Sequence, residues 1–121
     1  MIFDMTKKQS LDQIVSWLSG FVQYILNENS HGTSFVDPAS QIEQLESTVF
    51  MILGNKCEEK DELEVDQSDI DRVIEEIKMQ YQLTPQVRLV SAKSDIGIDE
   101  AFLDLAKRIH NNEFQLLAKN Y

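Results

Sequence analysis

Two periods alternate along this chain, and each change of period marks an element. Residues 1–5, Met-Ile-Phe-Asp-Met, are apolar from the first position and predict a buried strand. Ser10 and Gln13 have the capping-box spacing that opens a helix. Leu11, Ile14, Val15, Leu18, Phe21, Val22 and Ile25 then recur at helical spacing, predicting a helix of roughly four turns with one apolar stripe. Trp17 is expected in the core with that stripe. Residues 27–40 keep no period and are dominated by Gly, Pro, Asn and Ser, which reads as a loop. The continuous apolar run 49–53, ended by Gly54, predicts a fully buried strand.

Six acids fall within residues 58–66, with Asp69 just beyond. A solvated acidic loop is the expected reading, because the ordered ligand spacing of a calcium loop is missing. A second helix is predicted over 69–81, with Ile70, Val73, Ile74, Ile77 and Tyr81 inward and Pro85 as its stop. Residues 87–90 predict a third short strand, with Ser91-Ala92-Lys93 just past its end. A third helix starts near Asp99, with Phe102, Leu105, Ala106 and Ile109 as its inner face and Phe114, Leu116 and Leu117 extending it. Met51 and Met79 are expected to fill core space.

Strand, helix, strand, helix, strand, helix is the order of an α/β domain with a parallel sheet and helices on both faces. Right-handed crossovers set consecutive strands side by side. Ligands in such sheets bind beyond the carboxyl ends of the strands. Asn55-Lys56-Cys57-Glu58 and Ser91-Ala92-Lys93 both follow a strand, so they are expected on one rim.

Composition narrows the chemistry. With 121 residues and 42% apolar content, one domain with a core is expected. A net charge of −10 argues against nucleic acid and anionic membrane as partners. The single Cys57 excludes an internal disulfide and a cysteine-rich metal site, and fits a reducing, cytoplasmic setting. No metal site and no catalytic residue are expected: His31 and His110 stand far apart, and Cys57 has no His near it in sequence. The start has no basic region of a secretory signal, and the end carries no cysteine for a prenyl anchor, so no direct membrane anchor is expected.

Phe3-Asp4-Met5-Thr6, Gln9-Ser10-Leu11, Trp17-Leu18, the segment 52–58 and Ser91-Ala92-Lys93, with the stretch 100–109, resemble small GTPases of the Ras superfamily, Rab-like among them. The resemblance implies one truncated domain over 1–121, a partial P-loop NTPase fold running from the family's fourth strand to its last helix. A loop at about 27–46 is the inserted part. Asn55-Lys56-x-Glu58 stands where the family has its guanine-specificity motif, and Ser91-Ala92-Lys93 where it has the second base motif. By the resemblance, Asn55 holds the loop and meets the guanine edge, and Lys56 lays its stem along the base. Ala92 donates its N–H to the guanine oxygen, and Lys93 covers the other side. A carboxylate at position 58 would read guanine's two donors bidentately. The family has Asp there; Glu58 is one methylene longer and misplaces the carboxylate. Without a ligand, Asn55, Lys56, Ser91, Ala92 and Lys93 would be inherited loop structure, in which Asn and Ser can satisfy local backbone groups.

No Gly-x-x-x-x-Gly-Lys-Ser/Thr occurs in the 121 residues, whose four glycines are Gly20, Gly32, Gly54 and Gly97. The magnesium and switch segments of the family have no counterpart either. The chain alone is therefore expected to be no enzyme and to carry no cofactor; GTP or GDP would bind only if a partner supplied the phosphate site. Two readings follow: an inactive structural or adaptor subunit of a larger assembly, or the carboxyl-terminal half of a split GTPase completed by another chain. Either way, the strand at 1–5 and the last helix are expected to be bare and to contact other protein subunits or a second copy.

Overall fold

The computed structural model describes residues 1–28 and 48–119. Strands β1 (Ile2–Asp4), β2 (Met51–Asn55) and β3 (Gln86–Leu89) form one parallel sheet in the order β1-β2-β3. Helices α1 (Lys8–Glu28), α2 (Gln67–Tyr81) and α3 (Ile98–Lys119) alternate with them. The predicted α/β order and parallel sheet are therefore present. Most of the inserted loop expected near 27–46, with His31 and Gly32, lies outside the described residues.

The pleat of β2 explains the layers. Ile52 joins Phe3, Leu11, Leu18, Val73 and Ile77 in a core beneath α1 and α2. Its neighbour Met51 turns the other way, to Val90 and Ala101 under α3. Successive strand side chains point to opposite faces, so one buried strand serves two cores. Gly54 follows the same logic. A Cβ there would come within 2.8 Å of Phe3 Cζ, 2.9 Å of Leu89 Cδ2 and 3.0 Å of Met5 Sδ, so only glycine leaves those side chains their places.

Several helix ends differ from the sequence reading. α1 starts at Lys8, which puts Ser10 inside its first turn rather than at its cap. Ser10 Oγ accepts the Asp4 N–H at 2.8 Å and lies 3.0 Å from the Asp4 carbonyl oxygen. The Lys7 carbonyl is the nearer acceptor for the single hydroxyl proton, at 2.6 Å, and the Lys7 N–H reaches the Asp4 carbonyl at 3.0 Å, so both backbone groups of the last β1 residue on its bare edge have partners. α2 starts two residues before its first predicted position, under a capping box. Asp66 accepts the Asp69 N–H at 2.9 Å, and Asp69 accepts the Asp66 N–H at 3.1 Å. It ends at Gln82, whose left-handed backbone (φ 56°) turns the chain three residues before Pro85. The strands shift as well, β2 by two residues and β3 by one.

The acidic segment is exposed at residues 60–64, as a solvated loop requires, and Glu64 and the following Asp69 also contact the start of α1. Glu64 Oε2 accepts the Lys8 N–H at 3.1 Å, and Lys8 Nζ pairs with the largely buried Asp69 at 2.8 Å. These contacts tie the first turn of α1 to the first turn of α2. The Lys8 ammonium holds the Asp69 carboxyl below its usual range.

Several apolar residues expected inside are outside: Trp17 is 74% exposed, Met79 78% and Phe102 60%, and Phe21 and Ala106 are exposed as well. Trp17 sits one residue before Leu18 and Phe102 one after Ala101, about 100° around the helix from the buried line. Ala101, with half-buried Ile98 and Leu105, forms the true inner face of α3. Ile109 is also exposed. Phe102 and Leu105 instead line a groove of about 210 Å³ with Met1, Ile2, Met51, Leu53 and Ala101. The bareness expected of the first strand and last helix is thus real at Ile2, Phe102 and Ile109, whereas Phe3 and Met5 are buried. No described helix is long and apolar enough to cross a membrane.

Candidate functional site

β2 and β3 end on the same rim, and their ladder continues past the last strand residues. Val90 donates its N–H to Gly54 O at 2.8 Å, and Cys57 donates to Val90 O at 3.2 Å. This pairing brings the two sequence-predicted segments together. Asn55, the last residue of β2, accepts the Ala92 N–H on its Oδ1 at 3.1 Å.

The second segment is a folded turn. Ser91 is fully buried and bridges Ile96, each N–H meeting the other's carbonyl at 3.0 Å. Ser91 Oγ accepts the Ser94 N–H at 3.0 Å. Asp95 (φ 55°) and Gly97 (φ 71°) take the left-handed backbone that reverses the loop into α3. Ala92 and Lys93 are exposed at its tip.

The first segment is pinned from β1. Lys56 takes a left-handed backbone (φ 67°), and its Nζ lies 3.0 Å from Asp4 Oδ2. Asp4 Oδ1 accepts the Thr6 N–H at 2.9 Å and the Thr6 hydroxyl at 2.7 Å. Burial alone would raise the Asp4 pKa. The Thr6 bonds, then the Lys56 ammonium, overcome it and bring the group down to about 2. Asp4 in turn raises the Lys56 pKa. Glu58 is partly buried on the same turn, and its Oε2 has no hydrogen-bond partner among the described residues.

Asn55, Lys56, Glu58, Ser91, Ala92 and Lys93 therefore share one rim, as their positions after strands required. The Ala92 N–H goes to Asn55, and the Lys56 ammonium goes to Asp4. Asp4, Thr6 and Ser10 were absent from the residues singled out for the rim. Asp4 had one usable signal: a charged residue at the carboxyl end of an apolar strand, where rim chemistry gathers. Among the described residues, no three His, Cys, Asp or Glu side chains gather to hold a metal ion.

Similarity to known proteins agrees with the fold. A family description reading Ras family matches residues 1–111. The Ras-related protein Rab-10 of Caenorhabditis elegans is 28% identical over 109 residues, covering 90% of this chain and 42% of that protein. The GTP-binding protein ypt2 of Schizosaccharomyces pombe is 25% identical over 126 residues, covering 99% of this chain and 50% of that protein. The human Ras-related protein Rab-8B is 28% identical over 109 residues, covering 90% of this chain and 41% of that protein. The chain thus spans half or less of the length of these curated relatives.

Proposed function

The chain belongs to the Ras family, and from that premise we propose that it is a Rab-like, catalytically inactive structural or adaptor subunit that works by docking in a larger protein assembly. One observation carries this reading: the base rim is satisfied from within. Asn55 already takes the Ala92 N–H, and Asp4 already takes the Lys56 ammonium. A base would have to take or share the Ala92 N–H that Asn55 now accepts, and it would meet Glu58 rather than Asp beside it. The apolar groove between β1 and α3 supports a contact with another polypeptide. An intracellular, cytoplasmic location fits this reading.

A second reading has its own support. The Asn55–Ala92 bond holds both base motifs side by side, as a platform shared with a chain that supplies the phosphate site would need. Nucleotide analysis separates the two. The full chain, and the assembly captured with it, are denatured and the released nucleotide is chromatographed. The adaptor reading expects no guanine nucleotide from either. Stoichiometric GDP or GTP in the assembly overturns it in favour of the shared site.

A further inference from the structure

β3 ends the sheet on the side away from β1. In a parallel ladder only alternate residues of a strand bond to its neighbour. Val90 bonds to β2, so Arg88 and Gln86 do as well, and Val87 and Leu89 aim their N–H and C=O groups outward. Gly97 closes the rim end of that outer edge: a Cβ on it would come within 3.2 Å of the Leu89 carbonyl oxygen. The Val87 N–H and C=O and the Leu89 N–H are left, with no hydrogen bond among the described residues. Backbone groups at this spacing are matched by another extended backbone.

The side chains of the same strand state which extended backbone fits. Arg88 lies on the face that carries α3, where its Nη2 is 3.3 Å from Asp104 Oδ2. Arg108 Nε is 3.4 Å from that same oxygen. Every other described ion pair joins one cation to one carboxylate. This flank therefore holds a cation in excess of its carboxylate, in a chain of net charge −10. Arg88 Nε is buried without a hydrogen-bond partner among the described residues, and so is Gln86 Oε1, two positions back on the same face. On the opposite face of β3, Val87 is half-buried and Leu89 is 45% exposed. The edge offers an unsatisfied guanidinium on one face and apolar surface on the other.

We propose that the outer edge of β3 takes a strand from a partner polypeptide, a short extended segment with an acidic residue between two apolar ones. Its backbone pairs with Val87 and Leu89. Alternation then places its side chains: the acid falls on the α3 face beside Arg88, and the apolar residues fall beside Val87 and Leu89. Cross-strand neighbours sit roughly 5 Å apart at Cβ, within reach of a carboxylate and a guanidinium. The guanidinium fork takes a carboxylate through two donors, and Arg88 Nε is one that has no other acceptor. Charge also decides against a second copy as the occupant. In the two-fold register that uses both Val87 and Leu89, Arg88 would face its own twin, and like charges directly opposite destabilise a strand pair. The edge is separate from the groove beside β1, and its occupancy does not depend on whether the rim holds a nucleotide.

The test uses the full chain, isotope-labelled for amide NMR, and three synthetic peptides. They are acetyl-Thr-Val-Glu-Val-Thr-amide and its counterparts with Gln or Lys at the centre. Each is titrated to millimolar concentration while amide shifts and hydrogen exchange are followed. With the Glu peptide, the Val87 and Leu89 N–H signals should shift and exchange more slowly, while the N–H signals of Phe3 and Asp4 in β1 should not change. The Gln peptide should bind about threefold or more weakly, and the Lys peptide more weakly still. Arg88→Glu should reverse the order and favour the Lys peptide, with circular dichroism confirming the fold. The peptide series on the unaltered chain decides the matter even if Arg88→Glu does not fold. Equal binding of the three peptides overturns the proposal. So does a Glu peptide that leaves Val87 and Leu89 unchanged or acts on β1 instead, and so does an unreversed order on folded Arg88→Glu.

Discussion

Asn55 Oδ1 accepts the backbone N–H of Ala92 at 3.1 Å, joining residues 37 positions apart at the ends of two neighbouring strands. The bond fixes how the two rim loops sit relative to one another, because Ala92 is at the tip of its turn. Asn55→Ala should therefore cost about 1 kcal/mol, the usual net value of one such hydrogen bond. Amide exchange checks the location of the effect. The Ala92 N–H should exchange much faster in the variant, while Ile77 in the core should not change. Equal protection of Ala92 in both proteins would refute a role for the bond.

Asp4 gives the chain an acid-dependent clasp. Its folded pKa is lowered to about 2, below its ordinary value of 3.8. A carboxyl depressed on folding adds stability that is complete above its unfolded pKa and is lost as pH falls through the folded one. Urea midpoints should fall as pH drops from about 5 to about 2. Asp4→Asn should flatten part of that slope. Asp69, lowered by Lys8, supplies another part, so the slope should not vanish. Identical pH profiles for the two proteins would show that the Asp4–Lys56 and Asp4–Thr6 contacts add nothing.

Gly54 tests the packing between β1 and β3. Its hydrogen faces Phe3, Leu89 and Met5 at distances that leave no methyl group a place. Gly54→Ala should destabilise by about 1–3 kcal/mol through overpacking, measured by urea denaturation. A further pairing of Gly54→Ala with Leu89→Ala should recover part of the loss, since half-exposed Leu89 is the neighbour easiest to remove. A neutral Gly54→Ala would mean the three side chains relax without cost.

The start of α2 rests on two aspartates. Asp66→Ala removes the acceptor for the Asp69 N–H and should cost about 1 kcal/mol, within the range for lost N-caps. Asp69→Ala breaks the other half of the box and the Lys8 ion pair as well. It should cost more than Asp66→Ala in thermal melts. The reverse order would make the Lys8–Asp69 pair unimportant.

Much of the fold was legible because it depends on local period. Ile70, Val73 and Ile77 fell where helical spacing put them, and all three are buried. Ile52 lay in a run too apolar to face water on either side, and β2 is the central strand. The rim residues were legible by rule, since loops after parallel strands share one end of the sheet. Ser10 was misread because its hydroxyl suits a cap, and only the neighbouring strand end shows that its partner is Asp4. Trp17, Met79 and Phe102 were misread because large apolar side chains were assumed to be buried, though about half of any folded surface is apolar.

The sequence by itself determined the six described elements, their order, the parallel sheet and the rim on which Asn55 and Ala92 meet. Those follow from side-chain period and from the handedness of crossovers, which act over a few residues or a single connection. Only the tertiary structure decided which flank of each helix is covered, and therefore that Ala101 rather than Phe102 packs on the sheet. It alone decided that Lys56 crosses to Asp4, 52 positions away. Period narrows a helix face to within about 100°, and the neighbours brought in from distant sequence choose the rest.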